Sequence, residues 1–456
     1  MLDTERFQRY NTLLDVFVAR YEGMQQRGRE WYESMATTVG GSELAAIMGW
    51  NPYSRESDVV LSKVAALRGG SSWTGGGEAC WWGTLFEDVV EAYVAADLGA
   101  PLRGTDICVR AVPGHRNSPD GYVVARVYWD TTDEERPQWR LWTTDMSPAI
   151  PTEPRILLLE FKCPLSRVPE AKVPRHYLPQ VWSGLAVSPV AHSGLFVDAV
   201  FRKCALADLG DTPAYDTEYH YKAANADAGL PEVMRPLPVA WSLIAVYAPR
   251  VDAPRHVRLG WSGPEWTAGD PDPDARDADA SKTASYIHTD YFGVRPEPET
   301  RDVVDLGDMA ARPFARVLGL IDRRRFQVVR LPPCFADGRG KDLHSDKAIG
   351  TAVERARRTP PTKDHWLLGV LPWKLFEIQY LPVQRRAGFL EEVLPLIQEV
   401  HRAAAEACAS PDPDAYVRAR AREKGGRVPR SSPSAAARAT VQDVDAVQSL
   451  FDALTI

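Results

Sequence analysis

The chain has 456 residues, 45% of them hydrophobic and 25% charged, enough for a sizeable core and two or three structural units. A net charge of −7 argues against a surface coated in basic residues, although it allows one nucleic-acid cleft between acidic loops. Runs of about 18 apolar residues are missing, which excludes a membrane-spanning reading, and the start Met1-Leu-Asp-Thr lacks a secretory layout. Six dispersed cysteines without a C-x-x-C pair exclude a zinc ribbon, an iron–sulfur cluster or a disulfide framework, and point to reduced thiols inside a cell.

Apolar spacing at Phe7, Tyr10, Leu13, Leu14, Phe17, Val18 and Tyr21 predicts a helix over 4–22, with Thr4 as N-cap. A tight turn then opens into a short helix over 39–49, and further helices are expected at 55–67 and 82–98. Between those two, the glycine-rich stretch 69–77 reads as flexible. Strands at 105–112 and 121–129 flank the turn Asn117-Ser-Pro-Asp-Gly121. An extended loop or hairpin at 130–154 leads to a buried strand at 156–162, a helix at 175–187 and a strand at 193–202.

From 204 to 365 proline and aspartate become frequent, with an acidic linker at 268–281 and strand-like pieces at 239–248 and 324–331. A strand at 374–383 and a helix at 387–408 follow. The last 48 residues carry a basic run, Arg418 to Arg430, and a terminal stripe of Val444, Val447, Leu450, Phe451 and Leu454.

The segment Ile156-Leu-Leu-Leu-Glu-Phe-Lys-Cys163 is the most informative. Glu160 and Lys162 lie two residues apart on an apolar strand and so share a face. Charges inside a sheet need partners or metals, and Asp120 on the upstream turn offers a second carboxylate. Two carboxylates and an ammonium form a kit for holding a divalent cation against a phosphodiester. The plainer readings are an ion pair on an edge strand for Glu160 and Lys162, a turn former for Asp120, a surface residue for Glu87 and a helix cap for Ser42.

The ordered motifs Trp31, Gly40-Gly-Ser42-Glu, Trp82-Gly-x-x-x-Glu87, Ser118-Pro-Asp120-Gly, Leu159-Glu160-Phe-Lys162-Cys-Pro164 and Tyr177-x-x-Gln180 resemble the YqaJ-type viral recombinase nucleases. These are similar to phage lambda exonuclease, within the PD-(D/E)xK superfamily. The resemblance covers 25–203 and, more loosely, 370–408. It implies an α/β (α+β) fold with a restriction-endonuclease-like core, a central mixed sheet flanked by helices. The division it suggests is a core at 1–203, an insertion at 204–365, a closing strand and helix at 366–408, and a disordered basic tail at 409–456.

The resemblance also implies a Mg²⁺-dependent exonuclease, with Mn²⁺ as a substitute, acting 5′ to 3′ on double-stranded DNA in recombination, repair or replication of a viral-type genome. Carried over by position, Asp120, Glu160 and the Phe161 carbonyl would ligate the metal, and Glu87 would serve a second one. Lys162 would position the attacking water, Gln180 would orient the site, and Ser42 would contact a DNA phosphate. The family's phosphate-binding arginine falls on Met35, which leaves the need for a 5′-phosphate open unless Arg27, Arg29 or Arg55 substitutes. A single-strand annealing protein as partner, a homo-oligomer, and a host nucleus or viral replication compartment are further implications. Two alternatives stand beside this reading: an endonuclease on the same site, and a non-catalytic DNA-binding protein that keeps the fold.

Overall fold

A computed structural model describes residues 2–23, 34–68, 78–132, 138–167, 169–210, 239–249, 303–308, 327–335 and 345–424. The stretches 69–77 and 268–281, Trp31, Arg27, Arg29 and the terminal apolar stripe lie outside the described residues.

The helices that matter here are α1 (Leu2–Ala19), α2 (Leu44–Ile47, after a 3₁₀ turn at Gly41–Glu43), α3 (Glu56–Leu67), α4 (Glu78–Leu98), α5 (Leu178–Val187), α6 (Asp346–Arg358), α7 (Phe389–Ala409) and α8 (Pro413–Lys424). The strands are β1 (Val39–Gly40), β2 (His115–Arg116), β3 (Gly121–Asp130), β4 (Gln138–Leu141), β5 (Glu153–Lys162), β6 (Ser193–Lys203), β7 (Ala240–Pro249), β8 (Val304–Asp305), β9 (Gln327–Arg330), β10 (Cys334–Phe335) and β11 (His365–Val383). A small parallel pair joins β1 to β2. The main sheet runs β10-β7-β11-β6-β5-β3-β4, with β8 on β11 and β9 on β7. It is mixed: β5 and β6 are parallel, while β3–β5, β6–β11 and β7–β11 are antiparallel. The fold is therefore α/β, a central mixed sheet with helices on its faces.

Strand β5 sits inside the sheet because both of its faces are apolar. Leu157, Leu159 and Phe161 face a cluster built with Trp82, Phe86 and Val90 of α4. Ile156 and Leu158 face the opposite cluster, with Phe17 of α1, Leu185 of α5 and Phe389 of α7. Each of these buried leucines contributes roughly 1.5–3 kcal/mol of hydrophobic stabilisation, so the register that carries the charged end of β5 is firmly held. Gly184 lets α5 come close, since a Cβ there would meet Leu158 Cδ1 at 2.8 Å.

Several elements depart from the sequence reading. The region 105–112 makes only isolated bridge positions, at Ile107 and at Val109 (paired with Asn117), rather than a strand, because the left-handed Gly104 (φ 63°) and a turn break its line. Strand β11 begins nine residues before the expected 374 and threads Gly369 and Pro372 through the sheet, with a register shift between Leu367 and Gly369. Part of the supposed insertion, β7 to β10, belongs to the same sheet as the core. Residues 413–424 form a helix where a disordered tail was expected. Burial of Val417 docks it, and Arg420 clamps it to Glu56 at 3.0 Å and Glu399 at 2.5 Å. Among the described residues no helix is long and apolar enough to cross a membrane.

Candidate active site

The charged end of β5 meets the turn that precedes β3. Gly121, at φ 150°, follows Asp120, a backbone conformation open to glycine. The chain thereby turns so that Asp120 Oδ2 accepts a hydrogen bond of 2.5 Å from the Phe161 backbone N–H, while the Asp120 N–H donates to Leu159 O at 3.2 Å. Asp120, forty residues upstream of Glu160, is in this way pinned to the main chain of β5 on either side of that residue.

Glu160 is 1% exposed, and its carboxylate accepts a hydrogen bond from the Lys162 ammonium, as their shared strand face requires. The Lys162 ammonium also stands 5.3 Å from the centre of the Tyr177 ring, just ahead of α5. Glu87 projects from α4, and its charge acts on Asp120, Glu160 and Cys163 alike. Gln180 lies half-buried in the first turn of α5, and its backbone carbonyl accepts from Asn117 Nδ2 at 3.2 Å. Ser42 is exposed in the 3₁₀ turn; Glu43 rather than Ser42 closes that turn, accepting from the Gly40 N–H at 2.6 Å. Met35, where the family arginine would stand, is buried.

The electrostatics of this cluster are lopsided. Burial raises the Asp120 carboxyl well above the usual range, and the Glu160 charge raises it further, against the pull of Lys162. Burial also raises Glu160, with Lys162 opposing it. Burial alone would lower Lys162, but Glu160 and Asp120 together overcome this and hold its pKa above the ordinary value. Lys162 is therefore a persistent ammonium and a poor base. Two buried carboxylates, Asp120 and Glu160, share the single ammonium of Lys162, with the Glu87 charge acting on both, so the pair is short of positive charge. A divalent cation fits that deficit, and its ligands would be the hard oxygens of Asp120, Glu160 and the Phe161 carbonyl. Among the described residues no group of three or more His, Cys, Asp or Glu side chains is gathered to hold a metal alone. Mg²⁺ sites in general use one or two carboxylates, with water and substrate phosphate in the remaining positions.

Three side chains beside this cluster were not singled out from the sequence. Asp198 of β6, paired in register with Lys162, is fully buried and binds Arg167, with Nη2 to Oδ1 at 2.8 Å and Nη1 to Oδ2 at 2.6 Å. Arg167 thus presents a held cation next to Lys162, both near the Tyr177 ring. The signal was available: an aspartate inside the apolar run Leu195-Phe-Val-Asp-Ala-Val200 is as anomalous as Glu160. Asn117 was read as part of a turn only. Buried, it donates to Ser183 Oγ at 2.9 Å as well as to Gln180 O, tying the Asp120 turn to α5.

Residues 30–191 match the family model of the YqaJ-like viral recombinase domain. A protein of African swine fever virus, from a tick isolate from Malawi, is 33% identical over 239 residues, 51% of this chain and 64% of the viral protein. Its counterpart in strain Badajoz is 26% identical over 406 residues, 88% of this chain and 92% of that protein. Among solved structures, an alkaline exonuclease from Laribacter hongkongensis overlaps at a TM-score of 0.26 with 17% identity, over 38% of this chain and 73% of that one.

Proposed function

Because residues 30–191 of this chain match the YqaJ-like viral recombinase domain, we propose that the protein is a metal-dependent deoxyribonuclease of the recombination type, an exonuclease degrading double-stranded DNA 5′ to 3′. The observation that carries this reading is the seating of Asp120 on the Phe161 N–H, beside a buried Glu160 that shares its strand face with Lys162. Asp120, Glu160 and the Phe161 carbonyl would hold Mg²⁺, and Mn²⁺ would substitute. When bound, the cation supplies Lewis acidity and offsets the charge that develops on the phosphorus oxygens.

The protein's own residues carry the rest. Lys162, kept protonated by the two carboxylates, orients the attacking water and stabilises the pentavalent anion. Gln180, fixed through its backbone by Asn117, lines the approach to that water. Glu87 extends the negative site toward a second cation. Ser42, exposed on its turn, is placed to meet a DNA phosphate. With Met35 buried where the family carries an arginine, the enzyme would discriminate weakly between 5′-phosphorylated and 5′-hydroxyl ends.

Linear duplexes labelled at the 5′ or the 3′ end, digested with Mg²⁺, with Ca²⁺ and with EDTA, test the proposal. Early release of the 5′ label, with Mg²⁺ only and with closed circular plasmid left intact, supports it. Cutting of the circle would move the assignment to an endonuclease, and no cutting of any substrate would move it to a DNA-binding protein.

A further inference from the structure

Helix α4 carries Glu87 near its middle, and a side chain from far along the chain grips that turn. Gly83 stands one turn before Glu87; glycine weakens a helix, and a Cβ there would meet nothing within 4 Å, so packing does not require it. The C-terminal end of α4 is held by the core: the Tyr380 hydroxyl of β11 donates to Asp97 Oδ2 at 2.7 Å, and the Thr144 N–H donates to Asp97 O at 2.9 Å. The Glu87 turn is gripped by Arg330, the last residue of β9. Arg330 Nε donates to Leu85 O at 2.6 Å, Nη2 donates to Thr84 O at 2.9 Å, and Nη1 pairs with Asp88 Oδ2 at 2.8 Å. Those three residues bracket Glu87 on one turn of the helix.

Strand alternation sends Arg330 to this place. Val328 pairs with Val246 and packs against the apolar cluster that β7 shares with α4. Two residues on, Arg330 pairs with Ile244 of the same cluster and so projects from the same face, toward α4. A helix carbonyl keeps a second lone pair beside its own helical bond, and a planar guanidinium can span two of them. The ion pair is the lesser part, since the Asp88 side chain is 65% exposed and such pairs contribute little. The two carbonyl bonds come from a guanidinium that is 22% exposed, and they fix the turn itself. Residues 327–330 lie outside the family match at 30–191, within the segment 204–365 that reads from the sequence as an insertion.

We propose that Arg330 is a positioning residue for Glu87, through which β9 holds one carboxylate of the cation site against Asp120 and Glu160. The inference rests on the deoxyribonuclease reading above. It gives the segment between β6 and β11 a part in the chemistry, exerted through α4 and without contact to the reacting atoms.

The test is the rate of nucleotide release from a linear duplex, measured against duplex and Mg²⁺ concentration. The proteins are the wild type, Arg330→Ala, Glu87→Gln and the double variant, each checked for folding by circular dichroism. Arg330→Ala is expected to lower kcat about tenfold or more, with KM for the duplex within about twofold of the wild type. The Mg²⁺ concentration that gives half the maximal rate should rise. In the Glu87→Gln background the same change should cost less than about twofold, because effects that act through one group do not multiply. Arg330→Lys, which keeps the cation but cannot span both carbonyls, replaces Arg330→Ala if the latter does not fold. A wild-type rate in either folded single variant, or a full loss repeated in the Glu87→Gln background, would overturn the role. A wild type that digests no duplex with Mg²⁺ removes the nuclease reading and this role with it, whereas wild-type digestion with independent losses removes the role alone.

Discussion

Asp120→Asn is expected to stabilise the metal-free protein while abolishing cleavage. Asparagine keeps an oxygen for the 2.5 Å bond from the Phe161 N–H, so the turn should hold its place. What changes is charge: two buried carboxylates compete for Lys162, with Glu87 adding to the repulsion. Unit charges about 4 Å apart at an effective dielectric near 20 repel by roughly 4 kcal/mol. Lys162 offsets most of this, and the acceptor loses about 1 kcal/mol of strength when its charge goes. A net gain of about 1 kcal/mol remains, equivalent to a rise of roughly 2–4 °C in melting temperature.

The sign with pH follows from the raised carboxyls. The folded state binds more protons than the unfolded state between the ordinary carboxylate range and the raised values. Wild-type stability in EDTA should therefore fall as pH rises through that window, and the variant should show a shallower fall. Melting curves in EDTA and in excess Mg²⁺ are the assay, with Mg²⁺ stabilising the wild type more than the variant. A variant that melts below the wild type in EDTA, or a wild type indifferent to Mg²⁺, would refute the reasoning.

Lys162→Ala leaves Glu160 buried without its ammonium and should cost about 3 kcal/mol by urea unfolding, whereas adding Glu160→Gln should recover much of that loss. Exonuclease rates on 5′-phosphorylated and 5′-hydroxyl duplexes should agree within about threefold, below 1 kcal/mol of discrimination, and a tenfold preference would show another cation in the role that Met35 vacates. Arg420→Ala should destabilise the protein by about 1–2 kcal/mol, because Arg420 joins Glu56 of α3 and Glu399 of α7 to α8. Glu399 is held down to about 2 by its hydrogen bond from Arg402, with Arg420 adding to the effect. Its contribution should be complete above the ordinary glutamate range and lost as pH falls through about 2, a loss that should be smaller in acid-unfolding curves of the Arg420→Ala variant, which keeps Arg402.

The strand β5 and the Asp120 turn were legible because each breaks a local rule: charges in an apolar run, and a Pro-Asp-Gly turn just ahead of a strand. Such anomalies survive in a single sequence because their cause is local. The partnership of Arg167 with Asp198 is not legible, although Asp198 carries the same anomaly as Glu160, because Arg167 lies in a polar loop where an arginine breaks no local rule. The strand expected at 374–383 starts only after Gly369 and Pro372, residue types that weaken or end strands. In the fold a register shift accommodates the first, and Pro372 O accepts from the Cys204 N–H at 3.1 Å. Helix α8 was hidden by its arginines. Of its side chains only Pro413 and Val417 are buried, and the acids that recruit Arg420 lie 21 and 364 residues away. Periodicity within the segment carried too little of that information.

The central claim is that Asp120, Glu160 and Lys162 act together around one cation on a phosphodiester. The most direct measurement is Mg²⁺-dependent release of nucleotides from a linear duplex by the wild type and by the Asp120→Asn/Glu160→Gln double variant, each shown to be folded by circular dichroism. The expected result is robust release by the wild type, none in EDTA, and a loss of at least about a thousandfold in the variant. A folded double variant that digests the duplex at the wild-type rate would contradict the account.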